Sequence, residues 1–501
     1  MSTTSTVVTS GTGTTARERE VVAAAPTRLF IGGEWVDAEG DATFDVLDPA
    51  TGEVLCRVAD ASPGDGRRAL DAAVAAQPAF ARTTPRQRYD WLMAAYELLH
   101  ERIDDLALLM TLEMGKPLAE ARGEIVYAAD FLRHFAAEAV RISGGYQTAP
   151  QGGARFLVTK QPVGPSLLIT PWNFPMAMGT RKVAPAIAAG CTSVIKPAHQ
   201  TPLSMLALVD ILREVGVPAG VVNAVTCMDA GGVMEPLIRS GDARKLSFTG
   251  STRVGKVLLE QCADKVLRTS MELGGNAPFI VFEDADLDAA VEGALAAKMR
   301  NMGEACTAAN RIYVHESVID EFGHRLAEAM AGLAVGRGTE DGVRVGPLID
   351  DAAQAKVVEL VADAVDRGAS VLTGGQRPDG PGWFYPPTVL TGVPGEARMA
   401  SEEIFGPVAP LTPFATEEEV LKAANDTPYG LVSYVYTNDL QRALRVAERI
   451  ESGMVGLNQG VVSNPSAPFG GIKESGLGRE GGAVGIDEFL EVKYVGITLP
   501  D

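Results

Sequence analysis

From about residue 155 onward, short apolar stretches alternate with single helical patterns, and this alternation restricts the chain to few folds. The strand-like stretches include SLLIT, TSVIK and KLSFTG, and the helix-like stretches include RKVAPAIAAG and SMLALVDILREVG. Strands joined by one helix pair in parallel through crossover connections, which predicts an α/β fold with a doubly wound, Rossmann-type sheet. The pattern restarts after Glu272 and continues to about residue 455, so we expect a second α/β unit.

The chain on either side of this region has other patterns. Around Gly32 and Gly33, LFIGGEWVDAEG is typical of a hairpin, and residues 86–141 have long helical periodicity. The last stretch, EFLEVKYVGITL, indicates an edge strand that pairing across a subunit interface would protect. Residues 1–26 are rich in threonine and lack a long apolar run, so we predict a disordered tail.

Charge and cysteine content limit the partners and the compartment. The 501 residues carry a formal net charge of -20, which disfavours nucleic acid and anionic membrane surfaces and favours small molecules or other subunits. No stretch approaches 18 consecutive apolar residues. The five cysteines are scattered, without a CxxC pair, and the five histidines show no metal-ligand spacing. We therefore expect a cytoplasmic protein without a disulfide framework or a metal site.

Three residues have side chains suited to acyl chemistry. Cys306, in NMGEACTAAN, is either a buried small residue or a nucleophile. Glu272 ends an apolar strand before a Gly-Gly turn, where partial desolvation would raise its pKa toward that of a general base; the alternative is a solvated loop glutamate. Asn173, in PWNFP, has an amide that could donate to an oxyanion, or it serves only as a turn or cap residue.

Two further features suit a nucleotide. Lys196 ends the strand TSVIK, where its ammonium could bind ribose hydroxyls or phosphate, although many lysines at strand ends simply face solvent. Gly250 and Ser251 lie in a turn between a strand and a helix, where backbone N–H groups would face an anion. Many such turns contain glycine, and no single one of these stretches decides the function.

Seven motifs considered together, in their order along the chain, are much more specific. They are PWNFP (171–175), KPAHQTP (196–202), FTGSTRVG (248–255), ELGGNAP (272–278), GEACTAANR (303–311), EEIFGP (402–407) and PFGGIKESGLGRE (468–480). This set resembles the aldehyde dehydrogenase superfamily over nearly the whole chain, from about Leu29 to Tyr494. The resemblance implies a cofactor-binding domain (27–142 and 165–272), a catalytic domain (273–470) and a small β oligomerisation element (143–164 and 471–501).

The resemblance also implies catalytic roles. Cys306 matches the nucleophile, Glu272 the general base and Asn173 the oxyanion donor. In the family mechanism the thiolate attacks the aldehyde, hydride leaves to the nicotinamide, and Glu272 activates the water that hydrolyses the thioester to a free acid. Relatives that form acyl-CoA lack this glutamate, so its presence argues against them.

Cofactor contacts are implied at six positions that match the family's contacts, namely Trp172, Lys196, Gly250, Ser251, Glu403 and Phe405. His199 is the informative departure, because members that prefer NAD often have a glutamate there, which repels a 2′-phosphate. A partly protonated imidazole would favour that phosphate, so we expect NADP, with NAD possible.

Three positions, Arg181, Arg300 and Ser463, resemble the succinate-semialdehyde dehydrogenase subgroup, in which the matching residues bind the distal carboxylate of the substrate. Two guanidiniums and a hydroxyl can orient a carboxylate, although both arginines could instead be helix-surface charges. We predict oxidation of succinate semialdehyde by a homodimer or homotetramer. The alternatives are glutarate semialdehyde or another aldehyde, an esterase-like thiol hydrolase, and a non-catalytic cofactor-binding member.

Overall fold

The structure is a computed structural model that describes residues 15–498. Within that range the helices are α1 Ala16–Ala24, α2 Pro63–Phe80, α3 Pro85–Glu101, α4 Ile103–Met114, α5 Leu118–Ala139, α6 Ala177–Ala189, α7 Pro202–Glu214, α8 Ala230–Ser240, α9 Thr252–Ala263, α10 Leu287–Met299, α11 Ile319–Ala331, α12 Asp351–Asp366, α13 Arg398–Ser401, α14 Glu417–Asn425 and α15 Leu440–Arg449.

The strands of the described range are β1 Leu29–Ile31, β2 Glu34–Val36, β3 Thr43–Leu47, β4 Val54–Ala59, β5 Gly145–Thr148, β6 Ala154–Pro162, β7 Ser166–Ile169, β8 Ser193–Lys196, β9 Val222–Ala224, β10 Lys245–Thr249, β11 Arg268–Glu272, β12 Ala277–Val281, β13 Ala309–His315, β14 Ser370–Thr373, β15 Thr388–Thr391, β16 Val408–Phe414, β17 Val432–Tyr436, β18 Met454–Leu457, β19 Gly476–Leu477 and β20 Leu490–Thr498.

The first large sheet confirms the predicted doubly wound topology. Its strands in residues 15–498 follow the order β19-β11-β10-β7-β8-β9-β1-β2, parallel from β11 to β9. Alternate residues of β7 pack into separate cores: Leu168 joins the core with helices α3 to α7, whereas Leu167 and Ile169 join the core with α2, α8 and α9. The strand order reverses between β7 and β10, which is where such sheets bind ligands.

The second sheet is the expected second α/β unit. Its order in the described part of the chain is β14-β15-β16-β13-β12-β17-β18, and only β14 runs antiparallel to its neighbour. Helix α10 connects β12 to β13, and α11 follows β13. The aldehyde chemistry expected at Cys306 therefore falls in the loop before β13, at the side of this sheet that faces the first one.

The flanking segments agree with the sequence in most respects. β1 and β2 form the hairpin around Gly32 and Gly33, and α3 to α5 occupy the helical region predicted at residues 86–141. The predicted edge strand is β20, which pairs with β6, and β6 pairs with β5, in a three-stranded antiparallel sheet.

The predicted disordered tail is wrong for residues 16–24. These residues form α1, which begins with a capping box in which Thr15 and Glu18 satisfy each other's backbone N–H groups. The helix is held by Val21 and Val22, which are buried, and by Arg337, which binds Glu18. Periodicity did not predict this helix because α1 has no broad apolar face. The rest of the predicted tail, residues 1–14, lies outside the described range.

Candidate active site

A cavity of about 410 Å³ opens between the two α/β units. It is lined by most of the predicted site residues, namely Trp172, Asn173, Arg181, Gly250, Ser251, Glu272, Arg300, Cys306, Glu403, Phe405 and Ser463. These residues come from the carboxyl ends of β7, β10 and β11, from α6, and from the loops around β13, α13 and β19. The fold thus brings residues nearly 300 positions apart in the sequence to one cavity.

The loop that carries Cys306 is held in a strained conformation. Asn301 and Met302 have φ angles of 54° and 55°, a left-handed conformation that is costly for residues other than glycine. The strain is compensated by buried hydrogen bonds: the Asn301 N–H donates to the Glu120 carboxylate at 2.6 Å, and the Asn301 amide donates to the Glu304 carbonyl at 3.0 Å. A Cβ at Gly275 would lie 2.7 Å from the Cys306 carbonyl oxygen, so a glycine is needed there.

The Asn173 side chain is oriented by two hydrogen bonds. Its Oδ1 accepts from the Phe174 N–H at 3.2 Å, and its Nδ2 donates to the Glu304 carbonyl at 2.9 Å. An amide nitrogen carries two hydrogens, so this geometry leaves the second N–H for an oxyanion near Cys306. The arrangement fits the expected role of Asn173 and excludes the flipped amide.

Glu272 is buried at the carboxyl end of β11 and lacks a partner for its Oε2 within the described residues. Burial, and next the nearby Glu480 carboxylate, raise the pKa of Glu272 well above its usual value, while Arg181 and Lys182 oppose that rise. The solvated loop glutamate considered from the sequence is therefore wrong. A Cβ at Gly470 would lie 2.8 Å from Glu272 Oε1, which explains the glycine behind the carboxyl.

Cys306 is half-buried and its thiol lines the cavity. Burial raises the pKa of Cys306 to about 12, and the charges of Arg181 and Arg300 act in the opposite direction. The neighbouring Glu304 carboxyl is fully buried, which raises its pKa well above the usual value, and its Oε1 accepts from the Ile349 N–H at 3.1 Å. This rise works against a negative charge on Glu304 beside the thiol.

One end of the cavity suits a dinucleotide. Ser251 caps α9 and Gly250 precedes it, so the helix N-terminus faces the cavity; the buried Thr249 hydroxyl has no partner in the described residues. Glu403 accepts from the Gly275 N–H at 3.3 Å, and burial raises the pKa of Glu403 to about 7. Phe405, with a φ of 56°, packs edge-on against Trp172 at 5.4 Å.

Lys196 and His199 lie at the end of β8, beside the cavity and outside its described lining. Burial, and next the ammonium of Lys196, lower the pKa of His199 below 6.5. This shift works against the partly protonated imidazole expected from the sequence. The imidazole still leaves the region without the carboxylate that would repel a 2′-phosphate.

The other end of the cavity is cationic and aromatic. Arg300 donates to the Ser463 hydroxyl at 3.1 Å, and its guanidinium lies 4.9 Å from the ring of Phe174. Arg181 lies 3.9 Å above the ring of Phe469, and its NH2 group is 2.8 Å from Glu480 Oε2. Arg181 is thus buried and partly engaged with a carboxylate, not a helix-surface charge.

Sequence reasoning missed other residues of the site. Tyr127 of α5 lines the cavity with a buried hydroxyl that has no partner in the described range, and no motif marks it. Glu480, which binds Lys182 at 2.5 Å and contacts Arg181, ends the quoted motif PFGGIKESGLGRE, so a signal for it was available. Arg181 and Lys182 precede Glu480 by about 300 residues, so the sequence alone does not indicate that they pair.

Comparisons with known proteins agree with this fold. The Aldehyde dehydrogenase family model matches residues 35–495, and the chain belongs to this family, as its resemblance indicated. The chain is thus a member of a family of aldehyde oxidoreductases.

Three of the matching relatives carry the names of enzymes that act on particular aldehydes. The chain is 58% identical to a succinate-semialdehyde dehydrogenase of Paenarthrobacter nicotinovorans over 89% of its length and 99% of that protein. It is 53% identical to a glutarate-semialdehyde dehydrogenase of Pseudomonas putida KT2440, over 94% and 98%. It is 52% identical to the NADP(+) succinate-semialdehyde dehydrogenase of Escherichia coli K12, over 94% and 98%.

A solved structure shows the same architecture. The crystal structure of succinate-semialdehyde dehydrogenase from Burkholderia pseudomallei superposes with a TM-score of 0.94 at 49% identity, covering 98% of this chain and 100% of that one. Within residues 15–498, no helix is long and apolar enough to cross a membrane, and no group of three or more His, Cys, Asp or Glu residues could hold a metal ion.

Proposed function

We propose that the protein oxidises succinate semialdehyde to succinate with NADP, with NAD as a possible second cofactor. The observation that carries the proposal is the pairing of Arg300 with Ser463 in the same cavity as Cys306, Glu272 and Asn173. A guanidinium and a hydroxyl at the cationic end would hold the substrate's carboxylate, with the aldehyde carbon facing the thiol of Cys306. The two relatives that act on succinate semialdehyde support this substrate.

The proposed chemistry begins when the Cys306 thiol gives its proton to water in the cavity and Sγ attacks the aldehyde carbon. The carbonyl oxygen becomes an oxyanion, which the remaining N–H of the Asn173 amide stabilises together with the Cys306 backbone N–H. A bound NADP would supply the hydride acceptor for this carbon, and the acyl group would then remain on Cys306 as a thioester. Glu272 takes a proton from water, the hydroxide attacks the thioester carbon, and the departing thiolate takes a proton back from Glu272 as succinate leaves.

Residues of the chain suit the dinucleotide in distinct ways. The N-terminus of α9, after Gly250 and Ser251, would face a phosphate, and Glu403 would accept from ribose hydroxyls. Lys196, buried at the end of β8, would supply a positive charge near the adenosine. These groups bind and orient the cofactor, while Trp172 and Phe405 shield one side of the cavity.

The substrate proposal predicts a ranked set of activities. With the native enzyme, kcat/KM for succinate semialdehyde is expected to exceed that for butanal at least about 100-fold, because a buried guanidinium–carboxylate contact contributes about 3 kcal/mol. Glutarate semialdehyde is the second candidate, supported by the relative with that activity, and belongs in the same assay. Equal kcat/KM values for butanal and the two aldehyde acids would overturn the carboxylate site.

The cofactor preference has its own test at His199. Replacing the neutral imidazole by a carboxylate in His199→Glu is expected to raise the KM for NADP about tenfold or more through repulsion of the 2′-phosphate, with little change for NAD. The matched control is His199→Gln, which stays uncharged and is expected to keep the native ratio. Unchanged KM values for NADP in His199→Glu would show that the 2′-phosphate binds elsewhere.

We further propose that the protein assembles as a homodimer or homotetramer through the sheet of β5, β6 and β20. β20 pairs with β6 along one edge only, and its Val492 and Tyr494 are 65% and 60% exposed. An open apolar edge strand is a surface that proteins normally cover. Light scattering is expected to give two or four chains, and Val492→Lys combined with Tyr494→Lys to give smaller species. A native monomer at assay concentrations would contradict the proposal.

A cytoplasmic location is proposed on the state of the thiols. All five cysteines, including Cys306, are free, and the proposed nucleophile needs a reducing compartment. Some members of the succinate-semialdehyde dehydrogenase subgroup carry a second cysteine two residues after the nucleophile. This chain has Ala308 at that position, so we expect no disulfide switch at the site. Fractionation of cells that express the full chain, probed with an antibody, tests the location.

A further inference from the structure

A buried ion pair lies directly behind the proposed oxyanion residue. Lys116 follows α4 and is 1% exposed, and so is Glu124 of α5; Lys116 Nζ lies 2.5 Å from Glu124 Oε2. The same Nζ donates to the Asn173 carbonyl oxygen at 2.8 Å and lies 4.3 Å from the centre of the Phe174 ring. The ammonium therefore contacts both the main chain of the oxyanion residue and the ring of the next residue.

Glu124 holds the other end of the same segment. Its Oε1 accepts from the Met176 N–H at 3.0 Å and from the Ala177 N–H at 3.1 Å, where α6 begins. These N–H groups have no partner within the helix, and a carboxylate at a helix N-terminus is also favoured by the helix dipole. One carboxylate and one ammonium, paired with each other, thus contact both ends of the segment 173–177.

A third contact joins this segment to the loop of the nucleophile. The Asn173 carbonyl oxygen accepts a second hydrogen bond, from the Asn301 amide at 3.0 Å. The same amide donates to the Glu304 carbonyl, which also accepts from Asn173 Nδ2. Movement of the Asn173 main chain would therefore change both the direction of its side-chain N–H and its link to the Cys306 loop.

We infer that the Lys116–Glu124 ion pair is a positioning device that fixes the Asn173 amide for oxyanion binding. Neither residue lines the cavity that holds Cys306, so neither touches the substrate there. The pair acts through the main chain of Asn173, and the inference rests on the proposed function in taking Asn173 as the oxyanion donor. For this role, residue 116 must carry a cation that donates to the Asn173 carbonyl oxygen and is held by the Glu124 carboxylate.

The test is a double-mutant cycle between Lys116→Met and Asn173→Ala in the full-length enzyme. Hydrolysis of 4-nitrophenyl acetate by Cys306 passes through a tetrahedral oxyanion and needs neither NADP nor the carboxylate site, so it is measured beside aldehyde oxidation. Loss of an oxyanion donor is expected to lower the rate by about 10²- to 10³-fold in Asn173→Ala. Lys116→Met is expected to lower kcat about tenfold or more while the KM for NADP stays within about twofold.

The decisive result is the effect of Lys116→Met once Asn173 is already alanine. A positioning role predicts that the further loss is less than about twofold, because the amide it orients has been removed. The matched control is Lys245→Met, another fully buried lysine, which binds Ser270 and not the segment 173–177. Its effect is expected to be the same in both backgrounds.

Each outcome separates the two proposals. If Lys116→Met lowers the rate by the same factor in the native and the Asn173→Ala backgrounds, as is expected of Lys245→Met, the positioning role alone is overturned. Unchanged ester and aldehyde turnover in Asn173→Ala would overturn the oxyanion role and the positioning role together. If Lys116→Met does not fold, the same cycle with Glu124→Gln decides the matter, because the amide keeps the shape of the carboxylate and removes the charge that holds Lys116.

Discussion

Replacement of Glu272 by Gln is expected to leave an enzyme that forms one equivalent of NADPH per active site and then nearly stops. The amide cannot take a proton from water, so the thioester on Cys306 accumulates after hydride transfer. Loss of a general base lowers kcat by about 10²- to 10⁴-fold. Rapid-mixing absorbance measures the burst, and intact-protein mass spectrometry identifies the acyl group on the chain.

The matched control is Glu304→Gln, two residues before the nucleophile. Burial raises the pKa of Glu304 well above its usual value and so disfavours its charged form, and its hydrogen bond from the Ile349 N–H can be made equally by an amide oxygen. We expect this variant to keep most of the native kcat. Steady turnover of Glu272→Gln at the native rate would contradict the assignment, and loss of the burst itself would place Glu272 before hydride transfer.

The same carboxyl sets the expected pH dependence of the native enzyme. Burial and Glu480 raise the pKa of Glu272 well above its usual value, whereas Arg181 and Lys182 oppose the rise. Only the ionised form can act as a base, so kcat falls as the pH decreases through this raised pKa and is regained as the pH rises. This limb should be absent from the residual rate of Glu272→Gln.

Replacement of Arg300 by Ala is expected to lower kcat/KM for succinate semialdehyde by about 10²- to 10³-fold. The variant removes the guanidinium that donates to Ser463 Oγ at 3.1 Å and that would bind the distal carboxylate. Truncating one side of a buried charge contact costs about 2 to 5 kcal/mol, or about 30- to 4000-fold, and the expected loss lies within that span. The measurement is kcat/KM for succinate semialdehyde and butanal, each at saturating NADP.

Butanal is the internal control because it has no carboxylate to lose. Its kcat/KM is expected to change by less than about threefold in Arg300→Ala. Equal losses for both aldehydes would mean that Arg300 supports the Cys306 loop and does not select the substrate. Arg300→Lys separates charge from shape, since an ammonium keeps the charge and loses the planar fork, and we expect an intermediate loss.

Arg181 contrasts with Arg300 in how it meets the substrate end of the cavity. Its guanidinium already lies 2.8 Å from Glu480 and 3.9 Å from the ring of Phe469. Its charge also opposes the high pKa of Cys306 and that of Glu272. Its replacement would therefore disturb the carboxylate site, the nucleophile and the base together, which makes Arg300 the better probe of substrate choice.

Much of this fold was predictable because its periodicities are local. Alternating strands and helices predicted both α/β units, and the helical pattern of residues 86–141 became α3 to α5. The helix α1 was missed because its stability comes from a capping box and a few tertiary contacts, not from a broad apolar stripe. Local sequence patterns reveal the hydrophobic face of a helix or strand, and α1 has almost no such face.

The sequence by itself determined the parallel sheets, the family and the identity of the residues suited to thiol chemistry, because these depend on spacing and residue type along the chain. The tertiary structure alone decided their electrostatics. Burial raises the pKa of Glu272 and lowers the pKa of His199, and folding brings Arg181 to Glu480. It also brings Lys116 behind Asn173. Desolvation and charge pairing depend on neighbours distant in sequence, which no motif records.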